Sequence, residues 1–174
     1  MNLVEITEGL SRYQGMPGRL RVLSGIKGTV IIDDTYNAAP ASMELALDTL
    51  KECSAPRKVA ILGDMLELGT YSMEAHRMIG NKVGHLVHLL ICVGEKAQLI
   101  ADSASTNMAK DQILTFHTSD EARMKVQELL REGDLVLVKG SQGIRMEKVV
   151  EEIMAEPEKK RDLLVRQSKK WLKK

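Results

Sequence analysis

The sequence predicts an α/β fold, a mostly parallel, doubly wound sheet of about six strands with one antiparallel edge strand. Three observations carry this. Short apolar runs alternate along the chain with stretches of helical period. Lys58–Leu62, Leu89–Val93 and Leu135–Lys139 are apolar almost throughout, as strands covered by helices on both faces must be. The first two runs are joined by Ser24–Gly28 alone, a link suited to an antiparallel hairpin, because a parallel crossover needs about a dozen residues or more.

Residues 1–19 read as a leader and hinge, with a short helix near Val4–Leu10 and a turn at Gly15-Met16-Pro17-Gly18. Leu20–Leu23 is the first strand. Thr29–Asp33 is the second, and Val30, Ile31 and Ile32 give it the β-branched side chains of a buried strand. Met43, Ala46, Leu47 and Leu50 then follow helical spacing, before the third strand, Lys58–Leu62. His76 falls on the next helix in line with Met73, Ile79 and Val83, a placement more typical of a hydrogen-bonded core histidine than of a catalyst. The fourth and fifth strands are Leu89–Val93 and Ile113–Phe116. After an N-cap at Ser119, Ala122, Val126, Leu129 and Leu130 form a helical stripe, and Leu135–Lys139 is the sixth strand. Met146, Val149, Val150 and Ile153 make the last stripe, so the globular domain spans residues 20–155.

At 174 residues the chain is long enough to bury a real core. Aromatics make up 3%, too few for the stacking platforms of single-strand nucleic-acid binding. The net charge of +1 argues against a nucleic-acid surface over the whole chain. That balance is uneven: residues 156–174 hold eight Lys/Arg against three acids, so this tail is +5 and the body −4. Leu163, Leu164, Trp171 and Leu172 are too irregularly spaced for a strong apolar stripe, and the tail reads as a solvated, helical or disordered end. Cys53 and Cys92 suggest neither a disulfide framework nor a zinc site. With no signal-peptide pattern and no apolar run of spanning length, the chain reads as cytoplasmic.

The polar residues cluster where strands end. In open α/β sheets ligands bind outside the carboxyl ends of the strands. Here the second strand runs into Asp33-Asp34-Thr35-Tyr36-Asn37, the third into Gly63-Asp64-Met65-Leu66-Glu67-Leu68-Gly69, and the sixth into Lys139-Gly140-Ser141-Gln142-Gly143-Ile144-Arg145. The first loop fits equally a capped turn, in which Asp34, Thr35 and Asn37 satisfy backbone groups, and a ligand site. Together the three loops suit a polyanionic or zwitterionic ligand. Lys139 and Arg145 can bind phosphate or carboxylate, and Asp34 and Asp64 can take a ribose, an ammonium or a metal, though Asp64 serves equally well as a turn former. His85, His88 and His117 lack metal-site spacing. The chain carries no G-x-x-x-x-G-K-[ST] loop, no G-x-G-x-x-G and no nucleophile elbow.

The order GMPGRL, IDDTYNAAP, ILGDMLELG, EAHRMIG and LVLVKGSQGIRMEKVV, from about Ile6 to Ala155, resembles the C-terminal domain of the Mur ligases, the ATP-dependent amide ligases of peptidoglycan synthesis. D-D-x-Y-N-A-x-P with G-D-M-x-E-L-G points within that family to the addition of D-Ala-D-Ala to UDP-N-acetylmuramoyl-tripeptide. The other Mur ligases and the folylpolyglutamate synthases usually have a histidine in the corresponding turn. The resemblance implies a Rossmann-like three-layer domain that closes over ATP and receives the incoming amine. The UDP-sugar site, the P-loop and the magnesium ligands would then belong to N-terminal and central domains. By the same resemblance Arg19 and Asp34 reach the ATP ribose, Tyr36 and Asn37 sit near the nucleotide and amine, and Lys139, Ser141 and Arg145, with Asp64, serve the dipeptide. On this reading the isolated chain is inactive, ATP and magnesium being held mainly by the central domain. Two positions depart from the family: Ala39 stands where Asn is usual, and Gln142 where Arg is expected. A free-standing nucleotide-binding or partner-docking module, suggested by Met1 and the basic tail, is the alternative.

Overall fold

The computed structural model describes residues 15–172, and the helix expected near Val4–Leu10 lies outside them. One sheet is built from β1 (Arg21–Ser24), β2 (Val30–Asp34), β3 (Lys58–Gly63), β4 (Leu89–Val93), β5 (Ile113–Phe116) and β6 (Leu135–Lys139). Their order across it is β1-β2-β6-β3-β4-β5. β1 runs antiparallel to β2, and every other neighbouring pair is parallel. The expected strands, the antiparallel edge included, lie within a residue of these bounds. In the hairpin link Lys27 adopts a left-handed φ of 54°, which carries its ammonium to the carbonyls of Gln127 and Leu130 at 2.6 and 2.9 Å.

The continuously apolar strands send alternate side chains into two cores. Ile32, Ala60, Leu62, Leu90, Leu135 and Leu137 face one layer of helices: α1 (Pro40–Glu52), α2 (Ser72–Val83) and α3 (Gln98–Ala104). Ile31, Val59, Ile61, Ile91, Val136 and Val138 face the other, made by α4 (Ser119–Leu129) and α5 (Glu147–Ile153). Both sides of the sheet are thus closed by helices, four of them on stripes seen in the sequence and one, α3, where no stripe was assigned. This is a three-layer α/β domain.

The segment after residue 155 is partly helical and largely exposed, but it is anchored to the domain. It forms two short helices, α6 (Lys160–Leu163) and α7 (Lys169–Leu172), and folds back over the domain. Leu164 is buried in the core beneath α4 and α5, and the Arg166 side chain is only 4% exposed. Arg21 fastens the return by donating to the carbonyls of Asp162 and Leu163 at 3.2 and 3.4 Å. Apolar spacing misleads here because the chain changes direction between single helical turns, with Arg166 itself at φ 61°.

α1 leaves β2 toward one face of the sheet while α5 leaves the neighbouring β6 toward the other. The loops after β2 and β6 therefore part, opening a crevice at the carboxyl end of the sheet, where a doubly wound fold places its ligands.

Candidate functional site

β2, β6 and β3 are adjacent and parallel, so the three polar loops reach one rim. Asp34 lies beside Lys139 in register, and Lys139 beside Leu62.

The turn after β2 is fixed from below by Asp33, which is fully buried. Three donors converge on its carboxylate: Gly18 N at 3.1 Å, Thr35 N at 3.1 Å and Thr35 Oγ1 at 2.6 Å. Burial outweighs them and pushes the carboxyl up to about 6. Tyr36 N in turn donates to Gly18 O at 2.9 Å. Gly18 has φ 68°, and a Cβ there would stand 2.9 Å from Tyr36 N, so only glycine lets the segment before β1 lie this close. Asp34 joins three pieces of chain. Its Oδ1 accepts from Leu20 N at 3.2 Å and its Oδ2 meets Lys139 Nζ at 2.5 Å, while Lys139 also donates to Asn37 O at 3.0 Å.

Above this frame lies a cleft of about 390 Å³ lined by Arg19, Asp34, Tyr36, Asn37 and Lys139, with Leu20, Ala38, Ala39, Ser42 and Leu45. The Arg19 guanidinium lies 4.1 Å from the centre of the Tyr36 ring, a cation–π contact worth about 0.5–1 kcal/mol at an exposed site. Leu20 is held at φ 49°, a conformation disfavoured for a leucine, and its packing against the core offsets the strain. At the cleft wall α1 begins with Pro40 after Ala39, which has no capping side chain. Ser42 Oγ accepts from Ala39 N at 3.0 Å and donates to Ala39 O at 2.9 Å, half of a capping box.

The other two loops use several candidate residues internally. Asp64 points down, not out. It is 5% exposed, its Oδ1 accepts from Ala97 N at 2.6 Å, and Gly94 leaves it room: a Cβ there would lie 2.4 Å from that oxygen. Ser141 is buried, with Oγ accepting from Leu66 N at 2.8 Å and donating to Ala38 O at 3.2 Å. Lys139, 2% exposed, spends its charge on Asp34. These three brace the loops, each through a partner from another part of the chain that no local pattern reveals, and Lys139 also lines the first cleft. His76 is a core residue. Its Nε2 accepts from Met65 N at 3.0 Å, so the proton sits on Nδ1, which donates to Ser72 O at 2.6 Å.

Arg145 does reach the rim. It sits at φ 62°, with Nε on Glu147 at 2.5 Å and Nη1 donating to the Trp171 carbonyl at 3.1 Å, its guanidinium 5.3 Å from the Trp171 ring. Gln142, Gly143, Leu66, Glu67, Arg145 and Trp171 line a second cleft of about 400 Å³. Glu147, 2% exposed, also pairs with Arg166 at 3.0 Å. Arg166 donates further to Thr35 O at 2.9 Å and to Tyr36 O. Burial lowers the Arg166 guanidinium and the Glu147 charge opposes that. Glu147 and Arg166 are the residues that sequence reasoning missed, and Asp33, although seen at the head of the first polar loop, was given no role of its own. A carboxylate two places after Arg145 was the one hint available.

Among the described residues, no group of three or more His, Cys, Asp or Glu side chains is arranged to hold a metal, and no helix is long and apolar enough to cross a membrane. The geometry offers an aromatic ring under a guanidinium, a mostly buried carboxylate and a backbone-lined turn in the first cleft. It offers an arginine beside a glutamate in the second.

Residues 18–142 match the family model of the Mur ligase glutamate ligase domain. The chain is 29% identical over 155 residues to the UDP-N-acetylmuramoyl-tripeptide–D-alanyl-D-alanine ligase of Bacillus subtilis, covering 88% of this chain and 34% of that protein. Among solved structures it resembles MurF from Acinetobacter baumannii, with TM-score 0.72, 30% identity and coverage of 86% of this chain and 33% of the other. It also resembles the MurF ligase from Thermotoga maritima in complex with ADP, with TM-score 0.70, 28% identity and coverage of 90% and 36%. The chain thus spans about a third of the length of the relatives it matches.

Proposed function

The chain belongs to the Mur ligase family as its glutamate ligase domain, and from that membership we propose that it is the closing and second-substrate domain of a cytoplasmic ligase that adds D-Ala-D-Ala to UDP-N-acetylmuramoyl-tripeptide. The observation that carries this is the first cleft, where Arg19, Asp34, Tyr36 and Asn37 line one opening at the carboxyl end of the sheet. Relatives named for this reaction support it, as does the ADP complex of a similar structure.

In this reading ATP phosphorylates the terminal carboxylate of the tripeptide, releasing ADP. The amine of D-Ala-D-Ala attacks the acyl carbon, an amide forms, and phosphate leaves with a proton lost from nitrogen. Asp34 accepts from a ribose hydroxyl, while Arg19 and Tyr36 cover the nucleotide and Asn37 borders the incoming amine. Arg145 takes the dipeptide carboxylate. Lys139, Ser141 and Asp64 hold the loops that present these groups. Closure of the domain would shut water away from the acyl phosphate, which is otherwise hydrolysed. Residues 15–19 are the hinge side. In the same reading phosphate and magnesium are held mainly by the central domain of the ligase, in keeping with a chain that carries no G-x-x-x-x-G-K-[ST] loop.

Calorimetric titration of this chain with ATP and magnesium tests the division of labour. Charged hydrogen bonds are worth about 1.5–3 kcal/mol each, so Arg19 and Asp34 supply only a few kcal/mol. Roughly −4.1 kcal/mol corresponds to a Kd of about 1 mM. Millimolar or weaker binding is expected. A low-micromolar constant would mean a complete nucleotide site in this chain and a free-standing module.

A further inference from the structure

The family match ends at residue 142, yet one wall of the crevice is braced by a residue of the tail. Leu164 is anchored in the core, and Val165 packs where a Cβ on Gly18 would come within 2.8 Å of it. The left-handed Arg166 then turns its guanidinium inward. That fork reaches two consecutive carbonyls of the β2–α1 turn, Thr35 O and Tyr36 O, and one oxygen of Glu147. The other Glu147 oxygen holds Arg145 Nε on the far side of the crevice. At 4% exposure the Arg166 side chain is not a surface charge. Two adjacent carbonyls and a carboxylate make up a target for a planar guanidinium that a single ammonium cannot span.

We infer that Arg166 is a positioning residue, which sets the β2–α1 turn and, through Glu147, couples it to Arg145. The tail is therefore part of the ligand face and no appendage. The consequence for ligand binding rests on the proposed nucleotide role of that turn. The positioning itself does not.

Hydrogen exchange on the described chain tests it through amides that report on the turn: Gly18, Thr35 and Tyr36, bonded to Asp33 or to Gly18 O. In Arg166→Ala these amides should exchange about tenfold faster or more, with the β3, β4 and β5 amides unchanged. Arg166→Lys should recover only part of the protection, and Glu147→Gln should loosen the turn less than Arg166→Ala. If only tail amides such as Leu164 speed up, or none do, the inference is overturned. Should Arg166→Ala unfold throughout, Arg166→Lys decides by the same amides. In a complete ligase carrying this domain, Arg166→Lys should raise KM for ATP several-fold with kcat nearly held. Faster exchange with an unchanged KM would support Arg166 as the positioner of the turn and remove the nucleotide reading of it.

Discussion

Asp33 is the residue on which the site turn rests, and its pH behaviour follows from its burial. Its carboxyl is raised from 3.8 to about 6, so the native state holds a proton that the unfolded chain has already released. Stability from this group is fully present below pH 4 and is lost as pH rises through about 6. Two units correspond to a penalty on the order of 3 kcal/mol above that range. Asp33→Asn removes the titration, and its lost bond to Gly18 N costs the same at every pH. Between pH 4 and 7 the stability difference should move in favour of the variant by on the order of 3 kcal/mol. Urea melts at a series of pH values measure this, and a flat or opposite trend would contradict it. Asp34, Tyr36 and Asn37 were legible in the sequence because they follow a recognisable strand. Arg166 was not, since its acceptor Tyr36 O lies 130 residues away in the chain. Lys139 was legible as a rim residue but not as a buried one, because its neutralising partner comes from another strand.

At the scale of elements, α1 has a specific weakness at its start. Ala39 occupies the N-cap with extended backbone (φ −133°, ψ 158°) and offers no acceptor to the first-turn amides, although Ser42 satisfies the reciprocal bond. Ala39→Asn places an acceptor there and should stabilise the chain by about 0.5–2 kcal/mol, since Ala is the poorer cap by that margin. A higher urea midpoint at unchanged slope would bear this out, whereas no gain would mean that the cleft wall already satisfies those amides. The strands were readable because continuous apolar runs have few other uses, and the short Ser24–Gly28 link fixed the one antiparallel pairing. The tail was not. α6 and α7 have four residues each, too few for a helical stripe, and the stretch between them is held by Arg21, Gly18 and Glu147 from distant parts of the chain.

For the whole molecule, the crevice between β2 and β6 is where the proposed function places its ligands. On the proposed reading the domain supplies a ligand face, and a second body closes against it to bring phosphate and metal to the reaction. Joining this domain to the Bacillus subtilis relative in place of its corresponding domain offers the most direct test. Phosphate release and the mass of the muramoyl product would be followed with ATP, magnesium, UDP-N-acetylmuramoyl-tripeptide and D-Ala-D-Ala. Phosphate release should require the dipeptide, and the product should carry both alanines. A folded hybrid that binds ATP and the tripeptide substrate yet never transfers the dipeptide, or that adds a different amine in its place, would contradict the proposed function.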